Sequence, residues 1–154
     1  MTTTQQLAKH LRDVHFGGNW TCSNLKDQLD DVSLEKALKK VDSLNTIAAL
    51  TFHINYYVQA ITRVLKGEDI NAHDQFSYIH PQFESEEDWK IFCSECLACA
   101  EALAWLIEKL DDNILNDFFV EEKYGTYHRN FLGLIEHTHY HLGQIAIIKK
   151  LISE

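Results

Sequence analysis

Two histidines separated by four positions, His137 and His141, are the side chains of this sequence best suited to metal chemistry. On an α-helix, residues at positions i and i+4 lie on the same face, with Cβ atoms about 6 Å apart. Two neutral imidazoles at that separation can donate ring nitrogens to one divalent metal ion. Two ligands do not complete a coordination shell, and the best candidate for a third is His53, in an otherwise apolar helical segment.

A helical wheel at 3.6 residues per turn predicts which histidines face the protein interior. His137 and His141 fall on one stripe with apolar side chains of the last segment, namely Leu134, Ile145 and Ile148. His53 lies on a similar stripe of its own segment. His139 and His128 fall on the opposite side of the last helix, so we expect them to face solvent and not to be ligands.

An alternative interpretation is that the three histidines are hydrogen-bonded core side chains, since each ring nitrogen of a buried imidazole needs a partner. The candidate partners are Tyr56, Tyr57, Tyr140 and Gln144. A pair at i and i+4 with a third inward histidine favours a metal site. Gln144 could orient a ligand ring or bind a neighbouring helix, Tyr140 could line the pocket or pack, and Tyr57 could contribute to the mouth of the site.

Two other kinds of chemistry receive less support. Thr138 follows His137 where a zinc peptidase of the His-Glu-x-x-His type has its general-base glutamate, so that mechanism is not indicated. Three cysteines spaced by three, Cys93, Cys96 and Cys99, share a helical face within an apolar run. Buried thiols that pack as small apolar groups explain this pattern better than a second metal site.

Four long amphipathic helices must position the histidines, and we predict them at residues 4–15, 43–66, 85–110 and 127–152. Gly17-Gly18 and Gly67 mark helix ends, and Ser85 followed by acidic residues marks a helix start. A short extra helix capped by Ser23 or Asn24, with a further turn opening at Ser33, is expected in the first connection. The predicted fold is all-α, a four-helix bundle with room for a crossover connection, and its long loops are typical of functional segments.

Length, composition and net charge limit the number of domains and the kinds of partner that this chain can have. With 154 residues, 45% apolar and 24% charged, the chain is expected to form a single domain spanning residues 1–154. A formal net charge of −9 argues against nucleic acid as a partner, because phosphate contacts need clustered Lys and Arg. No apolar stretch approaches the about 20 residues of a membrane span, and the polar N-terminus does not resemble a signal peptide. We therefore expect no membrane partner and a cytoplasmic location.

The pattern His137-x-x-x-His141-x-Gly143-Gln144, combined with His53 and the helical layout, resembles the DinB-like (damage-inducible, YfiT-like) superfamily. The resemblance covers essentially the whole chain. It implies a four-helix bundle with an up-down-down-up course, often a homodimer, and a divalent metal held by His53, His137 and His141. Zinc or nickel suits three nitrogen ligands best, and iron or manganese is also compatible.

Three alternative functions are open, and the resemblance implies the first two. The first is a metal-dependent transferase that uses a low-molecular-weight thiol, such as bacillithiol, on a small-molecule substrate. The second is a metal-dependent hydrolase that uses metal-bound water. The third is a non-catalytic stress-response or binding protein. Arg63 and Arg129 could bind an anionic cosubstrate, but charged surface residues are usually only solvated, so they receive little weight.

Overall fold

The computed structural model describes residues 1–152, and this part of the chain is all-helical. It contains six α-helices: α1 (Thr3–Phe16), α2 (Leu25–Leu29), α3 (Leu34–Leu38), α4 (Ile47–Leu65), α5 (Glu86–Glu108) and α6 (Tyr127–Ile152). Short 3-10 segments lie in the connections at Asp74–Phe76, Asp112–Asn116 and Glu122–Tyr124. None of the helices within residues 1–152 has the length and apolar character needed to cross a membrane.

Capping residues explain where the long helices begin and end. Thr2 and Gln5 form a capping box at the start of α1, and Ser85 and Asp88 form another at the start of α5. Helix α1 ends at Gly17, whose φ of 110° is a conformation that side-chain-bearing residues rarely adopt. The predicted bounds of α1, α5 and α6 therefore agree with the structure to within two residues.

The predicted start of α4 at Ser43 was wrong by four residues. Thr46 is the capping residue, and its hydroxyl accepts a hydrogen bond from the backbone N–H of Ala49 at 3.1 Å. The first connection holds two short helices, where the sequence predicted one short helix and a further turn opening at Ser33. Asn24 caps α2 and Ser33 caps α3, as their sequence positions suggested.

The four long helices enclose a common apolar core. Helix α1 packs against α5 and α6, and α4 packs against the same two helices. Fully buried side chains from all four helices meet there, including Leu11, Val14, Leu50, Ile54, Leu103, Ile107 and Ile145. Because burial of one such side chain contributes about 1.5–3 kcal/mol, this core is a rigid support for polar groups placed within it.

The connection between α4 and α5, residues 66–85, is held against α4 by two adjacent tyrosines. The hydroxyl of Tyr56 accepts from the backbone N–H of His73 at 2.8 Å. The hydroxyl of Tyr57 donates to the carboxylate of Asp74 at 2.9 Å. These bonds bring the 3-10 segment Asp74–Phe76 and the following Ser77 over the face of α4 that carries His53.

Candidate metal centre

The structure brings His53, His137 and His141 together between α4 and α6. One potential ligand atom from each ring lies within 4.8 Å of the others. His53 and His141 are 4% and 6% exposed, and His137 is partly buried. The spacing of one helical turn places His137 and His141 on the face of α6 that meets α4, so the two helices together supply the cluster.

The separation of two ring nitrogens agrees with a shared metal ion. The Nε2 atoms of His53 and His137 are 2.9 Å apart. Two nitrogens bound to one ion at about 2.0–2.1 Å are about 3 Å apart when the bond angle lies between about 90° and 110°. The same distance is that of a hydrogen bond between the two rings, so it fits both a shared ion and a direct contact in the metal-free chain.

Hydrogen bonds from the connection over α4 fix the tautomer of His53. Its Nδ1 lies 2.8 Å from the hydroxyl oxygen of Ser77, and that hydroxyl donates to the backbone carbonyl of Asp74 at 2.7 Å. Since the hydroxyl proton is used in that bond, the Ser77 oxygen accepts from the Nδ1–H of His53. The Nε2 lone pair of His53 then points into the cluster, as a metal ligand requires.

Gln144 fixes the same tautomer in His141. The side-chain oxygen Oε1 of Gln144 lies 2.7 Å from Nδ1 of His141, so the ring donates from Nδ1. Its Nε2 is left with a free lone pair. Gln144 lies one turn beyond His141, so a single helix supplies both the ring and the group that orients it.

His137 has a ring nitrogen that the described protein atoms do not satisfy. Its Nδ1 is buried and has no hydrogen-bond partner within residues 1–152. A buried polar atom without a partner costs about 1–3 kcal/mol, and Asn55 Oδ1 is a second such atom within the described residues. An ion bound at Nε2, the atom of His137 that approaches His53, would not supply this missing partner.

Burial keeps the cluster uncharged at neutral pH. Desolvation, followed by repulsion from His141, lowers the pKa of His53 to about 4. Desolvation and repulsion from His141 and His53 lower the pKa of His137 to about 4, and burial also lowers the pKa of His141. Neutral imidazole is the form that binds a metal ion, so no proton has to be displaced at pH 7.

Three tyrosine rings contact the histidine cluster. Tyr78 stacks on His53 with ring centroids 3.9 Å apart, and Tyr57 meets His137 edge-on at 5.0 Å. Burial and the neighbouring Asp74 carboxylate raise the pKa of Tyr57 to about 12, so its hydroxyl stays protonated. Tyr140 contacts the ring of His141 at 4.9 Å but is 66% exposed, which places it at the outer edge.

The sequence predicted that His139 and His128 both face solvent, but each is partly buried. His139 is partly buried beside α1, where burial and the nearby His10 lower its pKa. The adjacent Thr138 is fully buried. Helix α6 packs against α1 as well as α4, so its buried surface extends further around the helix than the apolar stripe indicates. Neither His139 nor His128 belongs to the cluster.

The cysteine-rich face of α5 does not form a second metal site in the structure. Within residues 1–152, the three histidines are the group of metal-binding side chains that converge closely enough to share an ion. Burial raises the pKa of Cys93 to about 12 and also raises those of Cys96 and Cys99. These thiols are therefore protonated at neutral pH, which agrees with an apolar packing role.

A cavity of about 330 Å³ opens beside the histidine cluster. His137 and Tyr57 lie in its wall, so a bound molecule can reach the cluster directly. Asp74 and Ser77, which border the histidines, were missed by the sequence reasoning. The available signal was the length of the loop, which indicated function without indicating which of its residues would contact His53.

Fold and site together define an all-helical protein with a buried group of three histidines that is compatible with a metal centre. In comparisons with known protein families, curated proteins and solved structures, the chain gives no match.

Proposed function

We propose that this chain is a metal-dependent enzyme that transfers a low-molecular-weight thiol to a small electrophilic molecule. The observation that carries the proposal is the convergence of three neutral imidazoles, two of them with the Nε2 lone pair directed into the cluster by Ser77 and Gln144. His53, His137 and His141 would hold a divalent ion, with zinc or nickel favoured by the nitrogen ligands.

Membership of the DinB-like superfamily is part of the proposal, with its up-down-down-up four-helix bundle. The start of α1 contacts the residues after α5, through Thr4 and Asp112, which supports an antiparallel pair. Phe52 and Phe92, each near the start of its helix, stack at 6.4 Å, which supports parallel α4 and α5. Because α4 and α5 would be parallel, the long connection between them acts as the crossover. A homodimer is proposed from the same resemblance.

The chain's own residues have separable roles in this proposal. A divalent ion bound by three neutral ligands keeps its full charge and can lower the pKa of a bound thiol or water. Ser77 and Gln144 hold two of the imidazoles in the ligating tautomer. Tyr57 and Tyr78 exclude bulk water from the imidazole face. In the overall reaction the thiol sulfur displaces a leaving group from an electrophilic carbon, and the thiol proton passes to solvent.

A specific observation favours metal-dependent hydrolysis as the second candidate. The carboxylate of Asp74 lies next to the cluster, where its charge raises the pKa values of His53 and His137 against the larger effect of burial. A hydrolase needs such a carboxylate as a general base for water. Asp74 Oδ1 already accepts a hydrogen bond from the Tyr57 hydroxyl, which favours the positioning role that the transferase requires.

The two candidates differ in their need for a thiol. The experiment uses untagged, zinc- or nickel-loaded protein with bacillithiol, cysteine or glutathione and the electrophile monochlorobimane, in parallel with nitrophenyl ester and nitroanilide substrates. We expect thiol-dependent turnover that is lost in His137→Ala and retained in His128→Ala, a histidine of α6 outside the cluster. Thiol-independent hydrolysis that is lost in Asp74→Asn would replace the transferase with the hydrolase. Metal-loaded protein without either activity would contradict both and leave a binding role.

A further inference from the structure

The residues of α6 that line the cavity beside the cluster run from Arg129 to His137. Eight residues of α-helix separate them, which corresponds to about 12 Å along the helix axis. A volume of about 330 Å³ is at the small end of the range of about 300–1,000 Å³ that ligand pockets occupy. The space therefore suits a narrow molecule that reaches from Arg129 to the histidine cluster.

The wall between these ends is mostly apolar. Ile61, Ile70, Phe119 and Leu134 line it. Most polar groups in the wall already form hydrogen bonds within the protein. The Tyr57 hydroxyl donates to Asp74, and the side-chain amide of Asn130 donates to the carbonyls of Tyr124 and Thr126. Arg129 is therefore the charged group that the cavity offers to a ligand.

Arg129 is an exposed residue whose stem packs against Gly125 and whose charge has no carboxylate partner within residues 1–152. A Cβ atom added to Gly125 would lie 2.7 Å from Cδ of Arg129, so the glycine allows the arginine stem to pack against the backbone. Gly125 also has a φ of 74°, which favours glycine for a second reason. Within residues 1–152, the Arg129 guanidinium has no carboxylate partner, although the chain carries a net charge of −9.

We propose that this cavity binds a small molecule with an apolar body and a single carboxylate, with the carboxylate on Arg129 and the opposite end at His137. A guanidinium binds a carboxylate through two parallel hydrogen bonds, which one arginine can supply without further cations. The assignment of this molecule as the electrophilic substrate depends on the proposed function. Binding of the carboxylate in the cavity does not.

The test compares an acid with its neutral analogue. Binding of 4-phenylbutyrate and of 4-phenylbutan-1-ol is measured by calorimetric titration of the full chain after chelator treatment, so that a metal ion cannot bind the carboxylate. The variants are Arg129→Met, which keeps the apolar stem, and Arg63→Met, which removes the same charge from an arginine that does not line the cavity.

The native chain and Arg63→Met are expected to bind the acid more tightly than the alcohol. In Arg129→Met the affinity for the acid should fall about tenfold, while the affinity for the alcohol stays within about twofold. Equal loss of both probes, equal loss in the two arginine variants, or no effect of Arg129→Met on the acid would overturn the proposal.

A second pair of variants tests whether binding occurs inside the cavity. Gly133 lines the cavity and Gly143 does not, and neither glycine has an atom within 4 Å of an added Cβ. Gly133→Leu should abolish binding of 4-phenylbutyrate, whereas Gly143→Leu should preserve it. Binding that survives Gly133→Leu would contradict the assignment. If the chain binds the carboxylate but no metal, only the proposed function is contradicted. If it binds metal but not the carboxylate, only this inference is contradicted.

Discussion

Replacement of Ser77 by alanine tests whether the connection over α4 tunes the histidine cluster. Ser77 is fully buried, and its hydroxyl oxygen accepts from His53 Nδ1–H while its proton bonds to the carbonyl of Asp74. In Ser77→Ala, His53 loses the acceptor that fixes its tautomer. The ring is then free to carry its proton on Nε2, the nitrogen that must be deprotonated to bind a metal.

The structure sets the size of the two expected effects. A buried donor left without an acceptor costs about 1–3 kcal/mol, so the metal-free variant should lose that much free energy of unfolding. Loss of a hydrogen bond that orients a ligating histidine reduces metal affinity about 10- to 100-fold. The second effect corresponds to about 1.4–2.7 kcal/mol of binding free energy.

Zinc affinity is measured by competition with a chromophoric chelator, and stability is measured by urea unfolding of the chelator-treated protein. Thr51→Val is the matched control, because Thr51 is a fully buried hydroxyl residue of α4 whose bond is to the carbonyl of Ile47 in its own helix. We expect its zinc affinity to stay within about threefold of the native value. A folded Ser77→Ala variant with native zinc affinity would refute the assigned tautomer and the role of the connection.

Three further predictions concern stability and the helix that carries the motif. The pKa of His15 is lowered from 6.5 to about 4 because the ring is buried. As the pH falls, the unfolded chain therefore binds the proton before the folded chain does. The folded state loses stability between about pH 6.5 and about pH 4. Compared with His15→Gln, the native chain should lose about 3 kcal/mol more between pH 7 and pH 4 in urea unfolding; parallel pH profiles would contradict this. Trp89→Phe removes the indole donor to the carbonyl of Val32 at 2.7 Å and should lower the free energy of unfolding by about 1–3 kcal/mol in the same assay, whereas an unchanged value would show that this bond contributes nothing. Gly143→Ala places a methyl group in open space on the exposed side of α6. The free energy of unfolding should rise by about 0.5–1 kcal/mol, seen as a higher melting temperature, and the metal content should not change. A loss of metal would show that the glycine serves the site.

Local patterns predicted the parts of the structure that depend on local forces. Ser85 and Gly17 mark helix ends because capping and positive φ act within a few residues. The stripe that unites His137 and His141 follows from the period of the α-helix alone. The same period placed His53 on the inward face of its own helix, where the structure has it.

Features that depend on tertiary packing could not be predicted in this way. Ser77 and Asp74 lie in an irregular connection, whose path is set by hydrogen bonds to the two tyrosines of α4 and not by any periodicity. His139 is partly buried because α1 covers a second face of α6, which a single helical wheel does not include. The unpaired state of Arg129 likewise depends on which side chains surround it.

We propose that His53, His137 and His141 together hold one divalent metal ion. The most direct measurement is elemental analysis of protein purified without a histidine tag, together with His53→Ala, His137→Ala, His141→Ala and the control His128→Ala. We expect about one divalent ion per chain in the native protein and the control, with loss of metal in each of the three cluster variants. Near-zero metal in every preparation after incubation with zinc and nickel, or metal content that does not depend on the three histidines, would contradict it.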